Sequence, residues 1–222
     1  MKIHDLTHPL RLGTKGYPGC ARVIGWPLRE IGLSHYNMLH ISTDLHTGTH
    51  VDAMKHCMPE GIDVASLPLE HCIGPAVIVD LRKKGEKGAE FEPEDFHPWE
   101  EAIRRTGKVL VKTGWSKTWD TSDYYDRFPG FSRPAAEYLR ELGIHLVGVE
   151  QASVHPSNHL EIHRIFFERN IIIVEGLADL ESVPVTEVEF FAVPLRFEEG
   201  DGSPVRAFCR CEPEIGRPVQ AP

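Results

Sequence analysis

Little in this chain suggests an export scaffold, a membrane span or a nucleic-acid surface. Its 222 residues hold only five cysteines: Cys20, Cys57, Cys72, Cys209 and Cys211. The count is odd and no two form a Cys-x-x-Cys pair, so no disulfide framework is implied. No apolar run reaches 18 residues, and the first helix-length windows carry charges and prolines rather than a signal-peptide core. Positive charge is in deficit: 24 Lys and Arg against 33 Asp and Glu leave a net charge of −9. That balance argues against non-specific binding to nucleic acid or an anionic membrane. The expectation is a cytoplasmic protein with neither kind of partner. Gly-x-Ser-x-Gly is missing as well, so Ser153 is not expected to act as an elbow nucleophile. Gly114-Trp115-Ser116 is not a phosphate loop, and there is no internal repeat or low-complexity segment.

Histidine, by contrast, is concentrated. Four of the 13 histidines fall between His40 and His56. The run His46-Thr47-Gly48-Thr49-His50-Val51-Asp52-Ala53-Met54-Lys55-His56 is not a helical pattern. A turn or irregular strand would aim His46, His50 and Asp52 at one point. Two nitrogens and one oxygen then make a set of ligands for Zn²⁺ or Mn²⁺ with room left for water.

Elsewhere the chain alternates. Residues 76–81, 108–112, 144–149 and 171–174 are near-continuous apolar runs of strand length, as suits strands covered on both faces. Helical patterns lie between them. Residues 93–105 place Phe96, Trp99, Ala102 and Ile103 on one stripe. Ser132 caps a second helix, lined by Ala135, Ala136, Leu139 and Leu142 and stopped at Gly143. Residues 160–169 form the third. Short strands are expected at 3–6, 22–26 and 36–42, a turn at Tyr17-Pro18-Gly19, and one helical turn at 65–69. Strands at 188–195 and 205–211 are expected to be joined by a charged turn, 198–203, with 212–222 as a loose or docking tail. The class is α/β, in a single domain spanning residues 1–222.

Several side chains stand out individually. Glu175 closes the apolar strand at 171–174, where a carboxylate is costly unless paired or bound to metal, and strand ends are where α/β sheets present active groups. His163 lies on the third helix, and His155 and His159 are its rivals as a late ligand. His4 and His8 are expected to be structural. Trp115 and Trp119 are equally suited to a substrate wall and to packing.

These residues resemble a known family, the metal-dependent cyclase-type hydrolases that include bacterial kynurenine formamidases and isatin hydrolases. The family pattern His-x-Gly-Thr-His-x-Asp-Ala-Pro-x-His is matched at His46, Gly48, Thr49, His50, Asp52, Ala53 and His56. Residues 5–10, 17–19, 112–115, 148–153, 163–166 and 173–177 extend the similarity over most of the chain. The resemblance implies a swivelling β/β/α fold with a mixed sheet and flanking helices, and a homodimer or homotetramer. It implies one or two ions per subunit: His46, His50 and Asp52 on the first, Asp52 and Glu175 bridging, and His163 on the second. His56 would be the acid/base residue and Tyr17 would line the substrate site, beside which the aromatic Trp115 is the further substrate-binding candidate. The implied activity is hydrolysis of a small C–N bond, in an aryl formamide such as N-formyl-kynurenine or in a cyclic amide, by metal-activated water. Alternatives are a dehydratase, cyclase or lactone-directed enzyme on the same scaffold, or a non-catalytic binder. The chain departs from the pattern in three places. Met54 replaces proline, Cys20 stands where formamidases carry an acid, and Glu150 and His155 lie near a more usual Asp.

Overall fold

A computed structural model describes residues 1–211; the expected tail at 212–222 lies outside the described residues. The strands are β1 (Lys2–Asp5), β2 (Ile24–Arg29), β3 (Met38–Ser42), β4 (His50–Asp52), β5 (Ile73–Asp80), β6 (Glu90–Phe91) and β7 (Lys108–Lys112). Then follow β8 (Gly130–Phe131), β9 (Leu146–Val149), β10 (Ile172–Glu175), β11 (Glu187–Phe191), β12 (Gly202–Pro204) and β13 (Phe208–Cys211). The helices are α1 (Ile31–Ser34), α2 (Leu69–Cys72), α3 (Pro93–Phe96), α4 (Glu100–Thr106), α5 (Arg133–Glu141) and α6 (His159–Phe167).

Nine strands form one mixed sheet in the order β1-β13-β11-β5-β7-β9-β10-β4-β12. The four apolar runs become its parallel centre, β5, β7, β9 and β10. Parallel neighbours need long crossovers, and here helices supply them. α4 packs on β5 and β7, α6 packs on β10, and α5 touches both α3 and α6. Every residue of β9 and β10 is buried, as unbroken apolar runs require. Antiparallel strands flank this centre on both sides.

The sheet is curled. Strand β13 is second in the order and β12 is ninth, yet only residues 205–207 join them. In a flat sheet seven strand spacings would separate them by about 34 Å, whereas a connection that short reaches about 14 Å. Curling brings the two edges together, and it brings the segment before β12 to the face of β4.

Some local expectations change. The stripe at 93–105 is not one helix: a 3₁₀ turn at His97–Trp99 separates α3 from α4, because Pro98 has no N–H to continue the ladder. Phe96 and Ile103 are still buried together in the core. Ser132 caps α5 as expected, its hydroxyl accepting from Ala135 N at 3.2 Å. The helical turn at 65–69 appears as a 3₁₀ turn, Val64–Ser66, followed by α2. The charged turn at 198–203 does more than join two strands. Its end forms β12, paired with β4 in the register Gly202 to Asp52 and Pro204 to His50.

Candidate active site

Strand β4 carries the centre of the site. Successive side chains alternate across a strand, so His50 and Asp52 share a face. The residue opposite His50 on β10 is Glu175, and the one opposite Asp52 is Ile173. The tight turn before β4 needs Gly48 at φ +74°, where a Cβ would lie 2.6 Å from Leu10 Cδ2. Gly176, at φ +66°, follows Glu175, and a Cβ there would sit 2.7 Å from the Gly48 carbonyl oxygen. Two glycines in left-handed conformations thus let the segments that carry His50 and Glu175 close on each other.

Five groups converge, His50, Asp52, His163 and Glu175 buried and His46 partly so. Asp52 Oδ1 lies 2.6 Å from His46 Nδ1 and 3.2 Å from His50 Nε2. Asp52 Oδ2 lies 3.2 Å from His163 Nε2. Glu175 Oε1 is 3.4 Å from the same His163 nitrogen, and Glu175 Oε2 is 3.6 Å from His50 Nε2. His46, His50 and Asp52 form one three-residue group able to hold a metal, and Asp52, His163 and Glu175 form another, so Asp52 belongs to both. Ligands at Zn–N and Zn–O distances on a tetrahedron stand about 3.3 Å apart, and most of these separations cluster there. The ring orientations suit coordination too. His50 Nδ1 contacts the Gly48 carbonyl at 2.9 Å and His163 Nδ1 the His159 carbonyl at 2.7 Å, which leaves both Nε2 atoms pointing into the cluster. The residues therefore fit a divalent cation.

Charge makes the same case. Asp52 is 1% exposed. Burial pushes its pKa up, but the charges of His50 and His46 and a hydrogen bond from His163 outweigh it and hold it well below the usual range. Burial likewise opposes the charged form of His46, yet the charge of Asp52 and hydrogen bonds to Asp52 and Asp201 lift it to about 9. His50 and His163 are raised against burial by Asp52 and Glu175. This buried acid cluster attracts positive charge, whether protons or a cation.

His56 sits on the 3₁₀ turn Met54–His56, half-exposed, with its ring centroid 4.1 Å from that of His46 and 5.5 Å from that of His163. The turn is fixed without the proline that Met54 replaces. Met54 is buried, and its carbonyl accepts from Met58 N at 3.0 Å, while His56 N donates to Ala53 O at 3.0 Å. Ser153 Oγ donates to Glu175 Oε1 at 2.9 Å.

A cavity of about 300 Å³ opens on the cluster. The imidazoles of His46, His50, His56 and His163 line it together with the apolar groups Tyr17, Ala152 and Leu160, and Cys20 and His159 also border it. Trp115 is not part of that lining. It is 4% exposed, and its indole N–H donates to Tyr124 O at 3.0 Å. It packs in a small second core with Tyr124, Phe128 and Ala152, behind Tyr17. Trp119 stacks on His8 at 4.2 Å, and burial drops the His8 pKa to about 4, so His8 is a neutral packing group. His155 is also elsewhere, accepting from Ser157 N and Asn158 N just before α6. Glu150 is fully buried and accepts from Thr113 N and Oγ1, Gly114 N and Ser116 Oγ. Burial still raises its pKa, and it serves as an internal anchor.

One residue of the site was not anticipated. Asp201 Oδ2 lies 3.0 Å from His46 Nε2 and 3.2 Å from His56 Nδ1. The sequence places it in a charged stretch, Glu198-Glu199-Gly200-Asp201-Gly202, and acidic loops are usually solvated. Only the glycines on either side hint at a close approach.

The similarities to known proteins agree with this geometry. Residues 4–156 match the family described as "Putative cyclase". The chain belongs to the Cyclase family. It is 32% identical to a kynurenine formamidase of Bacillus cereus over 211 residues, covering 93% of this chain and 96% of that one. Its fold superposes on isatin hydrolase A from Labrenzia aggregata, bound to benzyl benzoate, with a TM-score of 0.80 at 27% identity, covering 94% and 93% of the two chains. A structure described as a potential metal-dependent hydrolase with cyclase activity matches with a TM-score of 0.76 at 26% identity, over 95% and 99%.

Proposed function

We propose that this protein is a metal-dependent hydrolase of a small amide, either an aryl formamide such as N-formyl-kynurenine or a cyclic amide. The observation that carries the reading is the pair of three-residue groups sharing the buried Asp52, beside a cavity that His46, His50, His163 and Glu175 line. His46, His50 and Asp52 would hold one ion, and Asp52, His163 and Glu175 a second. Zn²⁺ and Mn²⁺ both suit N/O donors. When bound, the ion supplies Lewis-acid activation of water and of the scissile carbonyl.

The chain's own groups do the rest. Tyr17, Ala152 and Leu160 give the aryl ring of the substrate an apolar face, and Trp115 braces that wall from behind. His56, which lines the cavity outside the two groups that share Asp52, takes the proton of the attacking water and returns one to the leaving nitrogen. Ser153 holds Glu175 in place.

The test is hydrolysis of N-formyl-kynurenine, isatin and simple cyclic imides by Zn²⁺- or Mn²⁺-loaded protein in ¹⁸O-labelled water. Solvent oxygen in the acid product is the expected result. Turnover without label would mean a dehydratase or cyclase. Bound ion without turnover of any of them would favour a binding protein.

A second copy of this chain completes the reading. Strands β2 and β3 form a separate two-stranded ribbon, an arrangement marginal by itself. Trp26 pairs across to His40 and Leu39 to Pro27, so they lie on opposite faces. Both faces are apolar and open: Ile24, Trp26, Leu28, Met38, Leu39 and Ile41 are all more than 40% exposed. Surface of that kind marks a contact, and we assign it to a homodimer or homotetramer. Light scattering should give a multimer for the wild type and a smaller mass for Leu39→Asp/Ile41→Asp; an unchanged mass would remove the ribbon as the contact. Among the described residues no helix is long and apolar enough to cross a membrane. The five cysteines are free thiols, in keeping with a reducing, cytoplasmic setting.

A further inference from the structure

The carboxylate of Asp201 stands between the two functions of the site. One oxygen, Oδ2, meets both His46 Nε2 and His56 Nδ1. The opposite nitrogen of His46, Nδ1, faces Asp52 Oδ1. A single imidazole therefore has Asp52 and its group on one side and Asp201 on the other.

The backbone around Asp201 is built for this approach. Its carbonyl accepts from Ala53 N at 2.9 Å, the residue between Asp52 and the turn that carries His56. Gly200 O accepts from Val64 N at 2.8 Å. A Cβ on Gly202 would stand 2.6 Å from His46 Cε1 and 2.9 Å from Val51 O, so only glycine lets the segment lie this close. The pairing of Gly202 with Asp52 in the sheet sets the register.

We propose that Asp201 is a positioning residue that ties the metal ligand His46 to the acid/base residue His56, by accepting a hydrogen bond from each ring on one oxygen. This rests on the hydrolase reading above. The bond to His46 Nε2–H leaves Nδ1 as the nitrogen that faces the ion. The bond to His56 Nδ1–H leaves Nε2 as the nitrogen that exchanges protons with the reactants. A ligating histidine commonly donates its other N–H to a carboxylate, and losing that partner costs ~10–100-fold in metal affinity or activity. Here the same carboxylate also orients the proton carrier, so one substitution should weaken both.

The test compares wild type, Asp201→Asn, His56→Ala and the double variant, each checked for an unchanged far-ultraviolet circular dichroism spectrum. Metal stoichiometry and affinity are read by chelator competition, and kcat and KM at saturating metal on an amide the wild type hydrolyses. Asp201→Asn should keep the wild-type stoichiometry, bind metal ~10-fold or more weakly, and lose ~10-fold or more in kcat with little change in KM. In the His56→Ala background it should still weaken metal but cost no further kcat. Three results would overturn the proposal. One is wild-type affinity and kcat in Asp201→Asn. Another is the same kcat loss with and without His56. The third is loss of one equivalent of metal, which would make His46, His56 and Asp201 the holders of an ion of their own. A wild-type protein that takes up no ion defeats the hydrolase reading itself, and the proposal with it.

Discussion

Replacing His50 with alanine should abolish metal binding and hydrolysis together. His50 Nε2 reaches both carboxylates, 3.2 Å from Asp52 Oδ1 and 3.6 Å from Glu175 Oε2. The neighbouring imidazoles are already engaged, His46 Nδ1 with Asp52 Oδ1 and His163 Nε2 with Asp52 Oδ2 and Glu175 Oε1, so neither is free to take its place. The loss in affinity should exceed the ~100-fold that an outer partner costs. Metal analysis after dialysis should find the variant empty under conditions that leave wild type loaded. Full occupancy would remove His50 from the ligand set. Acidification should act in the same direction. With His46 raised to about 9, a cation entering at neutral pH displaces a proton, so apparent affinity should climb with pH up to about 9 and proton release should accompany binding. Calorimetry in two buffers of different ionisation enthalpy measures that release.

The fold was legible where burial left one solution. Apolar runs at 76–81, 108–112, 144–149 and 171–174 carry no polar face, so only a sheet covered on both sides can take them, and they became β5, β7, β9 and β10. What could not be read was the curl. Strand β12 has three residues, one of them proline and one glycine, and it pairs only because curling delivers it to the edge of β4. Local composition carries no record of such a long-range contact, and a charged turn was the natural reading of 198–203. The interrupted helix at 97–99 was a different case: Pro98 was visible, but the apolar stripe on either side of it masked the break.

The site divides in the same way. His46, His50 and Asp52 lie within one short segment, so local spacing alone brought them together, and the structure puts an imidazole or carboxylate atom of each within reach of the others, as a shared cation would need. Glu175 was conspicuous because a carboxylate ending an apolar strand needs a partner; it lies opposite His50. His163 could be separated from His155 and His159 only by resemblance, since all three lie on or just before one helix. Asp201 had no such signal. Its role depends on the sheet's closure and not on its neighbours in sequence, and Trp115 looked exposed to function for the converse reason, since packing behind Tyr17 is invisible in one dimension.

His56→Ala should separate chemistry from metal. His56 belongs to neither of the two groups that share Asp52; its ring nitrogen contact is with Asp201, and it lines the cavity on a turn held by backbone hydrogen bonds. Its removal therefore leaves Asp52, Glu175 and the other imidazoles where they are. Metal content should match wild type, KM should change little, and turnover of an amide should fall by ~10²-fold or more, the usual contribution of a positioned acid/base group. Depletion of metal in this variant would recast His56 as a ligand, and near-wild-type turnover would dismiss it as a proton carrier. The leaving group gives a sharper division. An amide nitrogen must be protonated to depart, whereas an aryl ester can release a phenolate unaided. If His56 delivers that proton, the defect on an aryl ester of similar size should be clearly smaller than on the amide. An equal defect on both would confine His56 to removing the proton from water.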